Sequence, residues 1–238
     1  MFTQQCFNLN IRDFSRAFPA GASATTAHPL SISSKQNVSR MRDANPKPKI
    51  GVMGSSGKAL NEAEAQRLAS LSERLGQAIA DRDCVLVTGA TTGFPDLVSR
   101  AARRHGAWTI GISPAFSKEE HVTRYALPED GVDIIIYTGF GLKGRNVINV
   151  RTSDVVIIFG GGIGTLNEFT IAHDEGKVVG VLEGTGGVAD QIKEIATLST
   201  KLVISELLFD SSPEALVDAC LEVLGNRTQR MLQGGGAT

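Results

Sequence analysis

The segment Gly160-Gly161-Gly162-Ile163-Gly164-Thr165 carries four glycines in its first five positions and ends in a hydroxyl. It follows the apolar run Val155-Val156-Ile157-Ile158-Phe159 and leads into a helical pattern starting near Gly164. At such a turn the free amides of the first helical residues, together with the helix dipole, favour an anion. Glycine lets the backbone close on a phosphate without a Cβ in the way, and Thr165 adds a hydroxyl donor. Glu168 stands four residues after Gly164, on the helix face that continues the loop's exit, where a carboxylate could act on a ligand held there. The plainer reading of Glu168 is a carboxylate that complements the helix dipole. Arg145 follows the glycine-rich Gly139-Phe140-Gly141-Leu142-Lys143-Gly144 and opens the preceding helical segment. A guanidinium there could fork onto phosphate or carboxylate, or could be an ordinary solvated arginine.

Three further loops repeat the theme. Gly54-Ser55-Ser56-Gly57-Lys58 is a second anion cradle, but five residues separate Gly51 from Gly57 and Ala59 takes the place of a magnesium-binding hydroxyl, so it is not a Walker A loop. Thr88-Gly89-Ala90-Thr91-Thr92-Gly93 and Gly184-Thr185-Gly186-Gly187 are the third and fourth, and either could be a simple turn. The stretch 139–144 also fits G-x-G-x-x-G, yet the next strand ends Phe159-Gly160-Gly161, without the acid that a dinucleotide's ribose requires. There is no G-x-S-x-G, H-E-x-x-H or C-x-x-C, and His28, His105, His121 and His173 are unclustered, so no metal site is expected. Cys6, Cys84 and Cys220 are too far apart for a disulfide framework and read as reduced thiols.

Loops of this kind need a scaffold that gathers them, and the pattern supplies one. Short β-branched runs at 50–53, 85–88, 108–112, 133–137, 155–159, 178–182 and, more weakly, 202–204 alternate with helical patterns at 62–81, 96–105, 145–151, 164–175, 189–198 and 213–224. That alternation predicts an α/β fold, a doubly wound, mostly parallel sheet of Rossmann type, whose ligands sit beyond the carboxyl ends of the strands. With 238 residues, 42% of them hydrophobic, one domain is expected over 48–228. Residues 1–47 are serine-rich, poor in acids and without apolar period, and are expected to be a disordered tail, either a targeting segment or residues upstream of a true start at Met41. Residues 229–238 are expected to be a flexible tail. A formal net charge of −1 offers no general field for nucleic acid or membrane, so the expected partner is a small phosphorylated molecule. No apolar run is long enough to span a bilayer, and a cytoplasmic protein is expected.

Arg145, then Asp154 nine positions on, then Gly161-Gly162-Ile163-Gly164-Thr165-Leu166-Asn167-Glu168 resembles the R-K-x-x-M…S-D…P-G-G-x-G-T-x-x-E pattern of the Lonely Guy family. The resemblance extends from Ile50-Gly51-Val52-Met53-Gly54-Ser55-Ser56 to about Leu182. Those proteins are cytokinin riboside 5′-monophosphate phosphoribohydrolases. The resemblance implies Arg145 and Glu168 as the catalytic pair, Gly161, Gly162, Gly164 and Thr165 as the phosphate cradle, and Gly54, Ser55, Ser56, Thr88 and Gly89 as further pocket residues. It also implies a homodimer or a dimer of dimers, and no cofactor. The sequence departs from the pattern at Gly160, where the family has proline, and at Asn146, where it has lysine. The stretch Tyr137-Thr138-Gly139-Phe140-Gly141 with Arg145-Asn146 also looks like the molybdenum-cofactor carriers of the same superfamily, which implies carriage of a phosphorylated cofactor as the alternative.

Overall fold

The structure is a computed structural model that describes residues 46–55, 61–198 and 205–234. Along them run β1 (Lys49–Gly54), α1 (Glu62–Asp81), β2 (Val85–Thr88), α2 (Phe94–Arg104), β3 (Thr109–Ser113), α3 (Lys118–Thr123) and β4 (Ile134–Tyr137). There follow α4 (Gly141–Thr152), β5 (Val155–Phe159), α5 (Ile163–Asp174), β6 (Val178–Leu182), a 3₁₀ turn at Ala189–Gln191, α6 (Ile192–Thr197), β7 (Glu206–Asp210) and α7 (Pro213–Gly234).

A strand of valine, isoleucine and phenylalanine alone is stable only with both faces covered. All five side chains of β5 are buried, and β5 sits near the middle of a sheet ordered β4-β3-β2-β1-β5-β6-β7, every pair parallel. Val155, Ile157 and Phe159 meet α1, α2 and α7 through Leu75, Ile79, Val98 and Leu216 on one face. Val156 and Ile158 meet Val150 of α4 and Phe169 of α5 on the other. The chain winds outward from β1 in one direction and from β5 in the other, so the order reverses between these two strands. Their carboxyl ends part to leave a crevice there, the place such sheets offer a ligand. The register pairs Gly54 with Phe159, and a Cβ on Gly54 would lie 2.6 Å from the Phe159 carbonyl oxygen, so only glycine lets the two strand ends run this close.

The expected elements are present with shifted ends. The predicted strand at 108–112 begins one residue later, leaving Trp108 58% exposed. The helix expected at 189–198 splits into a 3₁₀ turn and the short α6, and the last helix runs on past Leu224 to Gly234. The weak strand at 202–204 lies outside the described residues, and the sheet's edge beside β6 is β7, Glu206–Asp210. One helix went unanticipated. α3 is only six residues long, but Ser117 accepts from the Glu120 amide and Glu120 accepts from the amide of Phe116, one residue before the cap, a relative of the capping box whose S-x-x-E spacing is visible in the sequence.

Candidate functional site

The carboxyl ends of β1 and β5 open into a cleft of ≈ 300 Å³. β1 and its exit bring Met53, Gly54 and Ser55, and the β2–α2 loop brings Gly89 and Thr91. α4 brings Leu142, Lys143, Arg145, Asn146 and Asn149, and the start of α5 brings Gly162, Gly164, Thr165 and Glu168. Of the residues singled out in the sequence, Gly54, Ser55, Gly89, Arg145, Gly162, Gly164, Thr165 and Glu168 therefore meet at one place. Thr88 and Gly161 stand behind the lining: Thr88 is buried with its hydroxyl accepting from the Ala90 amide, and Gly161 packs against the Thr165 side chain. Ser56 lies outside the described residues.

Gly162 caps α5 without a side-chain hydrogen bond, and Gly164 is in the helix's first turn. A Cβ added at either would meet nothing within 4 Å, and neither backbone is left-handed. The fold does not require glycine at these two positions, and the missing side chains leave the backbone of the helix start open. Gly160 is the opposite case. Its φ is +61° and its amide donates to Thr185 Oγ1 at 2.9 Å, and both features exclude the proline of the Lonely Guy pattern.

The glycines at 184–187 support this loop and offer no cradle of their own. Asp190 accepts from the amides of Gly184 at 2.8 Å and Gly186 at 3.0 Å, which places a carboxylate where an anion would sit. The amides of Val188 and Ala189 in turn donate to the carbonyls of Gly161 and Gly160. Asp154, the acid of the matched pattern, is also structural. It accepts from the Lys49 amide and ammonium at the amino end of β1, away from the cleft.

Arg145 and Glu168 are buried together on the cleft floor, 7% and 6% exposed. α4 starts at Gly141, so Arg145 lies one turn inside the helix rather than at its opening, and this turns it toward α5. Its Nη1 donates to Glu168 Oε1 at 3.4 Å, while Nε has no partner among the described residues. Gly89 makes room for it: a Cβ there would lie 2.0 Å from Nη1. Desolvation drives the Glu168 carboxyl above its ordinary range despite the opposing pull of Arg145 and Asn149, and desolvation lowers the Arg145 guanidinium. A buried pair joined by one long contact is a poor stabilising device, because an apolar pair of the same size would fill the space at no greater cost. Buried, mutually perturbed charges in a cleft recur at functional sites and in structural ion pairs alike, and here they mark the pair as a candidate.

Asn149 was not anticipated. It is fully buried beneath the pair, and its Nδ2 donates to Glu168 Oε1 at 3.1 Å. The available signal was its i, i+4 spacing from Arg145 on one helix face. Asn146, the other departure from the pattern, donates to Asn167 Oδ1 at 2.8 Å, so an amide pair stands where the pattern has a cation.

A doubly wound parallel sheet with a glycine-rich helix start and a buried arginine–glutamate pair at its switch point defines a Rossmann-like protein of the Lonely Guy type. The chain belongs to the SLOG cluster4 family, whose model matches residues 47–217. A relative from Archaeoglobus fulgidus described as an uncharacterized protein is 31% identical over 172 residues, 72% of this chain and 93% of its own length. A cytokinin riboside 5′-monophosphate phosphoribohydrolase of Mycobacterium tuberculosis is 32% identical over 110 residues, which are 46% of this chain and 56% of that enzyme. Among solved structures, the molybdenum cofactor binding protein of Rippkaea orientalis is 34% identical, with a TM-score of 0.61 over 76% of this chain and 99% of that one. Among the described residues no helix is long and apolar enough to cross a membrane.

Proposed function

We propose that the crevice binds a nucleoside 5′-monophosphate-like ligand by its phosphate and hydrolyses the N-glycosidic bond. The observation that carries the binding half is the pair Gly162 and Gly164, bare of side chains where the fold has room for them and the cleft has its anion-favouring helix start. The phosphate lies on the amides of this loop with the Thr165 hydroxyl beside it, and the ribose reaches toward Glu168. In the reaction, water oxygen bonds to C1′ as the bond from C1′ to the base nitrogen breaks. The base leaves with that electron pair and, in sum, one proton of the water. Glu168, raised by burial, exchanges this proton or steadies the cationic sugar, roles worth roughly 10²–10⁴-fold. Arg145 orients the carboxyl and balances its charge. Positioning by the anchored phosphate supplies much of the remainder.

A second reading, carriage of a phosphorylated cofactor without turnover, is supported by the neutral Asn146–Asn167 pair and by the similarity to the Rippkaea orientalis protein over nearly its whole length. A single comparison separates the two. The purified chain and its Glu168→Gln variant are incubated with a panel of nucleoside 5′-monophosphates, and free base is followed by chromatography. Hydrolysis predicts base release by the parent that the variant loses. Tight ligand binding with no release from any nucleotide would overturn hydrolysis in favour of carriage.

A further inference from the structure

Asn149 sits on α4 four residues after Arg145, on the same face of the helix. Its Nδ2 is engaged twice, with Glu168 Oε1 at 3.1 Å and with Met53 Sδ at 2.9 Å, while its Oδ1 is buried without a partner among the described residues. Turning the amide over would set Oδ1 against the Glu168 carboxylate, acceptor facing acceptor. The amide is therefore held in one orientation by the carboxyl, and the carboxyl by the amide. A residue kept for packing alone at this fully buried position would be apolar, as is the methionine of the Lonely Guy pattern four residues after its arginine.

We propose that Asn149 is a positioning residue that clamps the Glu168 carboxyl in the crevice through the bond from Nδ2 to Oε1. The clamp divides the work at Glu168 between two neighbours: Arg145 reaches the same Oε1 at 3.4 Å, the longer of the two contacts. The charges that face Glu168, Arg145 and Lys143, both come from α4. β1 contributes the uncharged Met53, and Asn167, next to Glu168 on α5, is occupied by Asn146. The consequence for hydrolysis rests on the proposed function, whereas the clamp itself does not.

The test is a carboxyl titration of the full chain labelled with ¹³C at glutamate, the Glu168 signal being assigned with Glu168→Gln. Asn149→Met removes the donor and supplies the residue of the family pattern, and Asn149→Ala does so without added volume should methionine fail to fit. Loss of a hydrogen bond to the charged form moves the Glu168 midpoint up by about one pH unit in either variant. Met53→Leu, which leaves the bond from Nδ2 to Oε1 intact, leaves the midpoint in place. An unmoved midpoint in both Asn149 variants would overturn the clamp. If the midpoint moves while neither parent nor variant releases base, the clamp stands and the hydrolase reading falls. If both hold, the pH profile of base release moves with the titration.

Discussion

Replacing Gly164 with alanine should make the protein more stable and its ligand binding worse. The position is in the first turn of α5, its backbone is not left-handed, and an added Cβ meets no atom within 4 Å. Alanine therefore brings no clash. It removes conformational freedom from the unfolded chain and the poor helix propensity of glycine, a gain of about 0.5–1 kcal/mol. For a folded unit of this size that is a rise in Tm of about 1–4 °C. Gly164 also lines the cleft at the helix start, so the same methyl group should stand between a bound anion and the amides. Holding a phosphate even a fraction of an ångström away weakens charge-assisted hydrogen bonds worth about 1.5–3 kcal/mol each, so affinity should fall by at least about tenfold. Thermal melting with and without a nucleoside 5′-monophosphate measures both effects: the free variant melts higher than the parent, and its ligand-induced rise is smaller. A variant that melts lower, or that gains as much from ligand as the parent does, would refute the claim that Gly164 is kept for the ligand and not for the fold.

Gly89→Ala places a methyl group against the Arg145 guanidinium, which must swing away from Glu168, so ligand-dependent stabilisation should be lost while the free protein loses no more than about 1–3 kcal/mol by denaturant melting. Gly160→Pro demands a negative φ where the loop has +61° and deletes the donor to Thr185, so Tm should drop by at least about 4 °C in calorimetry, and an unchanged Tm would mean the loop is free to adopt the family's conformation. Glu168 has its folded pKa raised by burial, so the stability it contributes is fully present below its ordinary value and is lost as pH rises through the raised one. The parent should accordingly lose stability relative to Glu168→Gln on going from pH 4 toward neutrality, and a constant difference across that range would contradict the assigned direction. Burial pushes the Cys84 thiol up to about 11 and Cys220 to about 12, so in a Cys6→Ser chain a thiol reagent at pH 8 should find no reactive group until denaturant is added.

The parts of this molecule that were legible in its sequence are those decided locally. The unbroken apolar run of β5 announces a central parallel strand, and the glycines after it announce the loop at the switch point. Arg145 and Glu168 are candidates from their helical settings and from the family pattern, and what the structure adds is their proximity, 3.4 Å between Nη1 and Oε1. What was illegible depends on contacts between distant segments. The need for glycine at position 89 comes from an arginine on another element, and the Gly184–Gly187 turn resembles an anion cradle until Asp190 is seen to fill it. The first turn of α4 was missed because Gly141 and Gly144 argue locally against a helix, and the sheet-flanking packing of α4 overrides that preference. Asn149 was hidden for a similar reason: its amide has meaning only with Glu168 and Met53 in place.

The most direct test of the account is a crystal structure of the full chain soaked with a nucleoside 5′-monophosphate. The phosphate should lie within hydrogen-bond distance of the amides of Gly162 to Thr165, with the sugar turned toward Glu168. A nucleotide bound with its phosphate away from this loop, or an empty crevice at saturating ligand, would contradict it.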